Sequence, residues 1–196
     1  MLHAGTIGID IHQDVVHDAY NKTARTMYRI GSMFTPSQSQ KELLEKHLDM
    51  VLDKNDLVNI TRIATHHEGE LLHIEDSLTG IDAINDLPGA DLCDMGSGAG
   101  YPGIPIAICT NKNVTLIESV KKKSSLLSEF VRNLRLTNVT VLPYRTEEVA
   151  EQHKEFDIVT ARALSSLPSL LELASPLLRM NGYFLAYKGS NVDEEI

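Results

Sequence analysis

Four glycines fall within eight residues, at Gly96, Gly98, Gly100 and Gly103. They lie between the apolar run Leu92-Cys93-Asp94-Met95 and the proline-flanked segment from Ile104 to Ile108. A glycine turn joining a strand to a helix lets the backbone approach a ligand closely, and nucleotide-like ligands are its usual occupants. Two registers of the same loop imply different chemistry.

In one register, Asp94-x-Gly96-x-Gly98-x-Gly100 puts an acid at the close of the strand and glycines at alternate positions after it. In the other, Gly98-x-Gly100-x-x-Gly103 is the dinucleotide fingerprint, with Glu118 twenty residues past Gly98 as its ribose acid. The acid does not discriminate, because both uses place a carboxylate on ribose hydroxyls. Position does. The strand has ended by Gly96, so a fingerprint opening at Gly98 begins late. Pro102 and Pro105 set the helix start near Gly103, since proline is tolerated only in a first turn. That leaves Gly103 at the helix entrance, and the dinucleotide register gives Asp94 no task. The first register suits S-adenosylmethionine, which has no pyrophosphate, with Asp94 accepting hydrogen bonds near its amino-acid end. The alternative is an NAD-dependent oxidoreductase, for which the chain shows neither a substrate domain nor a proton donor.

Other residues of interest are basic. Lys121-Lys122-Lys123 open the segment after the second core strand, with Arg132 and Arg135 further along, and Arg145 follows the third. A phosphate-binding face and a plain solvated face both fit such a run. Arg162 follows a buried strand, where a lone charge needs a partner, and Lys188 closes the last strand. His66 and Glu70 stand one helical turn apart with His73 nearby, but HExxH is absent and no cysteine is close, so no metal is expected. Cys93 and Cys109 sit apart inside apolar segments and suit a reducing cytoplasm. The net charge of -9 argues against indiscriminate nucleic-acid binding and leaves room for a local basic face.

The elements that must position these residues are legible in the hydrophobic rhythm. Residues 1–33 show no sustained period and read as an N-terminal extension. From Leu43 to Leu52, apolar positions and His47 recur at three- and four-residue spacings, with Thr35 or Ser37 as cap and Pro36 near the first turn. A second helix is expected from Thr65 to Ile84, so residues 34–86 form a small helical cap. Residues 87–196 then alternate short apolar runs, "DLCDM", "NVTLIES", "NVTVLP", "FDIVTA" and "GYFLAYKG", with helical stretches at 104–109, 120–136, 146–153 and 164–180. Strands alternating with helices mean right-handed crossovers and a doubly wound parallel α/β sheet. No apolar run reaches the roughly 20 residues of a membrane span.

Taken together, "DMGSGAGYPGIPIAI", "LIESVKKKSSLLSEFVRNL", "YRTEEV", "FDIVTARAL" and "AYKG", with "NITRI" and "LHIEDSL" upstream, resemble the RsmG (glucose-inhibited division protein B) family. The resemblance runs from about Phe34 to Gly189. It implies a class I, Rossmann-like methyltransferase core that moves a methyl group from S-adenosylmethionine to N7 of a guanine in 16S ribosomal RNA, free or in the small subunit. It also implies cofactor contacts at Gly96, Tyr101, Thr146, Glu147 and Arg162, to which Asp94, Gly98 and Glu118 add from the loop argument. Tyr101 has two readings, lining the pocket or packing over the loop. Lys122, Lys123, Arg145 and Lys188 are the expected RNA contacts, and His73 and Asp76 are expected to orient the cap. N7 carries an in-ring lone pair and no proton, so no catalytic base is expected. The family's fold has two strands beyond the fifth, one of them antiparallel. The chain stops at "NVDEEI", so a sheet cut short is expected, and a non-catalytic ribosome-binding relative is a further reading.

Overall fold

The computed structural model describes residues 5–10, 25–30, 34–152, 154–162 and 166–188. A seven-stranded sheet runs in the order β2-β1-β7-β6-β3-β4-β5. Its strands are β1 (Gly5–Asp10), β2 (Arg25–Ile30), β3 (Asp91–Met95), β4 (Asn113–Ile117), β5 (Val139–Leu142), β6 (Phe156–Arg162) and β7 (Leu178–Lys188). The five from β3 to β7 are mutually parallel. Their side chains alternate between two apolar layers, as the pleat requires. Leu92, Val114, Leu116, Ile158 and Leu185 face one, and Cys93, Ile117, Val159, Phe184 and Ala186 the other. Strands buried on both sides read as continuous Val/Ile/Leu runs.

Helix α5 (Gly103–Cys109) and α6 (Lys121–Asn133) cover the first layer, and α7 (Thr146–Glu151) and α8 (Leu167–Ala174) cover the second. The cap joins the first layer instead of standing apart. Leu44, Leu48 and Val51 of α1 (Gln38–Val58) share one core with Ile104, Ile106 and Phe130, as do Ile81 and Ile84 of α4 (Ile81–Asp86). Helix α1 starts at Ser37, which forms a reciprocal capping box with Gln40. Pro36 therefore precedes the cap and lies outside the first turn.

Three expectations are corrected. The helix expected over 65–84 is divided: α2 (His66–Gly69), a π-helical turn over Glu70–Glu75 and α3 (Asp76–Leu78) run together, and Thr79 and Gly80 then turn the chain into α4. The helix expected to reach Met180 gives way to a 3₁₀ turn at Ser175–Leu177, with Pro176 inside it, because proline cannot continue an α-helix. Nor does the sheet end at the fifth core strand. Strand β1 pairs antiparallel with β7, from Gly5 opposite Lys188 to Asp10 opposite Tyr183, and β2 pairs antiparallel with β1. The chain's beginning thus supplies two further strands, one antiparallel to the core, and satisfies the free backbone groups of β7.

Candidate functional site

Chain direction across the sheet reverses between β3 and β6, since β4 and β5 extend one way from β3 and β7 extends the other from β6. Open α/β sheets bind ligands at such a point, outside the carboxyl ends of the strands. The glycine loop leaves β3 there. Gly96 and Gly98 take φ of 65° and 55°, left-handed values that favour glycine. The Ser97 N–H donates to Ile117 O of β4 at 3.0 Å, and the Gly100 N–H closes a turn onto Ser97 O at 2.7 Å. A Cβ on Gly98 would meet only Gly96 O, at 3.8 Å, so this backbone faces open space. Gly103 is both the first residue of α5 and tightly packed, because a Cβ there would strike Leu116 and Asp94. The close packing of a dinucleotide loop's third glycine is therefore present even with the helix starting at Gly103.

Two acids fix this loop from below. Glu118, 7% exposed, accepts the Gly98 N–H at 3.0 Å on one oxygen and the Val120 N–H at 2.8 Å on the other. Asp94 is fully buried and accepts from Gly103 N–H and from the Thr160 hydroxyl, each at 3.2 Å. Burial raises its pKa to about 6, against the pull of those hydrogen bonds and of Arg162. Asp94 thus braces the start of α5 from inside the protein, with no face turned to a ligand.

Tyr101 is 3% exposed and lies in a column of rings. His47 of α1 stacks on it at 4.5 Å between centroids and His73 of the π-helical turn at 4.3 Å, its plane nearly parallel at 6°. The His47 Nε2–H donates to Ala99 O of the glycine loop at 3.0 Å. Arg162 sits 5.5 Å from the Tyr101 ring centre. It donates to Leu72 O at 2.9 Å, to Asp76 Oδ2 at 3.1 Å and to His73 Nδ1 at 3.0 Å. That last bond fixes the neutral tautomer of His73, whose Nε2–H meets Thr61 Oγ1 at 2.9 Å. Burial depresses His47 to about 3 and His73 to about 4, the Arg162 charge adding to the latter. Among the described residues, His47 Nδ1 and the Tyr101 hydroxyl are the buried side-chain polar atoms without a partner. Of the two readings of Tyr101, packing over the loop is the one this geometry displays.

The sheet brings Gly96, Gly98, Glu118, Thr146, Glu147 and Arg162 to one edge, at the carboxyl ends of β3, β4, β5 and β6. Glu147 is exposed and Thr146 partly so, at the start of α7. Lys122 and Arg145 are exposed and Lys123 half-buried at the same edge. Lys188 ends β7, and its side chain lies outside the described residues. His66 faces Asp49 and Glu70, each at 3.5 Å. Sequence reasoning places His47 on the buried stripe of its helix but gives it no role. A polar ring on an apolar stripe is the signal that points to one.

A reversal point flanked by a glycine loop, with an acid closing the neighbouring strand, defines a Rossmann-like nucleotide-binding fold, and the chain's relatives identify it as a class I methyltransferase. Two solved structures share that fold. One is MtNAS in complex with MTA and tNA, at TM-score 0.53 and 14% identity over 76% of this chain and 56% of that one. The other is a mutant of MtNAS in complex with S-adenosylmethionine, at TM-score 0.52 and 13% identity over 76% and 57%. The family model for rRNA small subunit methyltransferase G matches residues 40–196. Curated relatives named ribosomal RNA small subunit methyltransferase G include those of Lactobacillus helveticus, 36% identical over 83% of this chain and 70% of the relative, and of Desulfitobacterium hafniense, 39% identical over 82% and 67%. The chain belongs to the rRNA small subunit methyltransferase G family, and it is a methyltransferase.

Proposed function

We propose that this chain methylates N7 of a guanine in 16S ribosomal RNA, with S-adenosylmethionine as methyl donor, in the cytoplasm where small subunits assemble. The carrying observation is the open backbone at Gly98, held from below by Glu118 at the reversal point of the sheet. When bound, S-adenosylmethionine supplies a sulfonium methyl whose carbon passes to the N7 lone pair while the broken bond's electrons remain on sulfur. Gly96 and Gly98 would cradle the amino-acid end, Glu118 would accept from the ribose hydroxyls with its remaining lone pairs, and Thr146 and Glu147 would close the β5 side. Asp94, Tyr101 and Arg162 act as positioning residues, holding the loop to α5 and to the cap. No proton leaves N7, so the site needs alignment and exclusion of water and no general base. Lys122, Lys123, Arg145 and Lys188 supply the RNA face. In A-form RNA the N7 edge lies in a groove too deep and narrow for side chains, so the target guanine is unpaired or splayed.

Calorimetric titration with S-adenosylhomocysteine, with NAD as control, tests the cofactor. Labelled methyl transfer to 16S RNA and to small subunits tests the acceptor. Saturable binding of the homocysteine compound alone, followed by label at a guanine N7, is the expected result. Binding of NAD alone overturns the reading, and cofactor binding without transfer to either RNA leaves a non-catalytic relative.

A further inference from the structure

Five large apolar side chains stand exposed among the described residues: Leu71, Leu72, Val120, Tyr144 and Met180. Two of them, Val120 and Tyr144, follow the carboxyl ends of adjacent strands. Strands β4 and β5 run parallel with Ile117 opposite Leu142, and the Glu118 N–H donates to Leu142 O at 3.1 Å. Val120 lies three residues past the end of β4, as the N-cap of α6, and Tyr144 two residues past the end of β5. Val120 is 49% and Tyr144 43% exposed. The pair sits at the edge that carries the glycine loop, because Glu118 grips Gly98 with one oxygen and Val120 with the other.

Lys121, Lys122 and Arg145 flank these two residues in the chain and are exposed, and among the described residues no ion pair engages their charges. Lys46, Lys54, Lys112, Arg162 and Arg179 are all engaged elsewhere. Of the nearest acids, Glu148 is taken by the Arg145 backbone N–H at 2.7 Å, and Glu147 faces solvent. In a chain of net charge -9, three unpaired cations beside an exposed aromatic ring complement one kind of polymer. An unpaired nucleic acid offers bases that stack on aromatic faces and phosphates that attract cations.

We propose that Tyr144 is a stacking platform for a nucleobase of unpaired ribosomal RNA beside the methylated guanine, with Lys121, Lys122 and Arg145 holding the flanking phosphates. The proposal rests on the guanine-N7 reading of the adjoining site. Tyr144 serves binding of the acceptor strand only. Its ring is accessible, so replacing it leaves the core untouched.

The test compares the parent chain with Tyr144→Ala and Tyr144→Phe in three measurements. These are affinity for S-adenosylhomocysteine, affinity for a short unpaired RNA containing guanine, and the KM of methyl transfer to 16S RNA. Tyr144→Ala is expected to lose about 10- to 100-fold in RNA affinity, with a matching rise in KM. Tyr144→Phe keeps both, and all three proteins bind the homocysteine compound equally. Lys121→Ala with Lys122→Ala flattens the salt dependence of RNA binding, by about 0.7 units of slope for each phosphate no longer neutralised. Equal RNA binding by the parent and Tyr144→Ala overturns the platform and leaves the function intact. Weaker cofactor binding by Tyr144→Ala overturns it too, because the ring then belongs to the cofactor's base. A parent chain that binds the homocysteine compound yet neither binds nor methylates RNA refutes the guanine-N7 reading, and the platform falls with it.

Discussion

Acid should loosen this protein through the ring column, and the size of the effect follows from burial. His47 and His73 are neutral in the folded chain, depressed from 6.5 to about 3 and about 4. In the unfolded chain both take up protons near their ordinary value. The unfolded state therefore binds more protons below pH 6.5, and stability falls as the solution is acidified towards pH 4. From pH 7 to pH 5 each ring withdraws about 2 kcal/mol, so the pair withdraws about 4. Asp94 opposes this. Burial raises it to about 6, so it gains a proton in the folded state over the same range and returns about 1 kcal/mol. Asp76, also raised by burial, acts in the same sense as Asp94. The net loss of about 2–3 kcal/mol lowers the melting temperature by about 5–10 °C for a domain of this size. With no tryptophan in the chain, circular dichroism at 222 nm is the suitable probe. His47→Gln keeps a donor for Ala99 O and removes one titrating group. It should lose about 2 kcal/mol less than the parent over the same pH change, a difference in which the other groups cancel. Parallel pH dependence of the two proteins would refute the assignment of a buried neutral imidazole at position 47.

Three further outcomes are expected. Gly103→Ala drives a Cβ into Leu116 and Asp94 and should cost about 1–3 kcal/mol, read by denaturant unfolding. Glu118→Gln has one oxygen for the two N–H groups of Gly98 and Val120, so its amide faces the other donor and should cost about 1–3 kcal/mol of stability, while S-adenosylhomocysteine affinity falls about tenfold or more; unchanged affinity would remove Glu118 from the ribose. Arg162→Leu leaves Asp76 buried and uncompensated, since their side chains are only 16% and 13% exposed. It should cost about 3–5 kcal/mol of stability, and a smaller loss on lowering the pH, as Asp76 protonates, would identify the orphaned carboxylate as the cause.

Local signals carry much of the fold. The runs "DLCDM", "NVTLIES" and "FDIVTA" become strands because they are short, apolar and bounded by turns, and Ser37 caps a helix because its hydroxyl and Gln40 satisfy each other. Spacing alone places Glu118 beside the glycine loop. Other features depend on distant partners. Nothing within "GTIGID" or "RTMYRI" announces a strand, because each is made by the neighbour it pairs with, and β7, the neighbour of β1, is far along the sequence. Tyr101 follows a glycine loop that reads as ligand-facing, and only the arrival of His47 and His73 from the cap turns it into a packed ring. Asp94 looks like a ligand acid from its position, but the strand's pleat points it inward to Gly103 and Thr160.

The hairpin of β1 and β2 bears on how the chain is made. During synthesis Gly5–Asp10 leaves the ribosome well over a hundred residues before its partner Leu178–Lys188. At about 5–20 residues per second, the opening strand waits on the order of ten seconds or more for the neighbour that holds it. An isolated two-stranded hairpin is marginal in water. Strands β3, β4 and β5, with the glycine loop and Glu118, are complete well before that moment. The edge that carries the glycine loop is thus made before β1 can pair with β7, so a cofactor captured early would stabilise the half-built domain by mass action while β1 still awaits its neighbour.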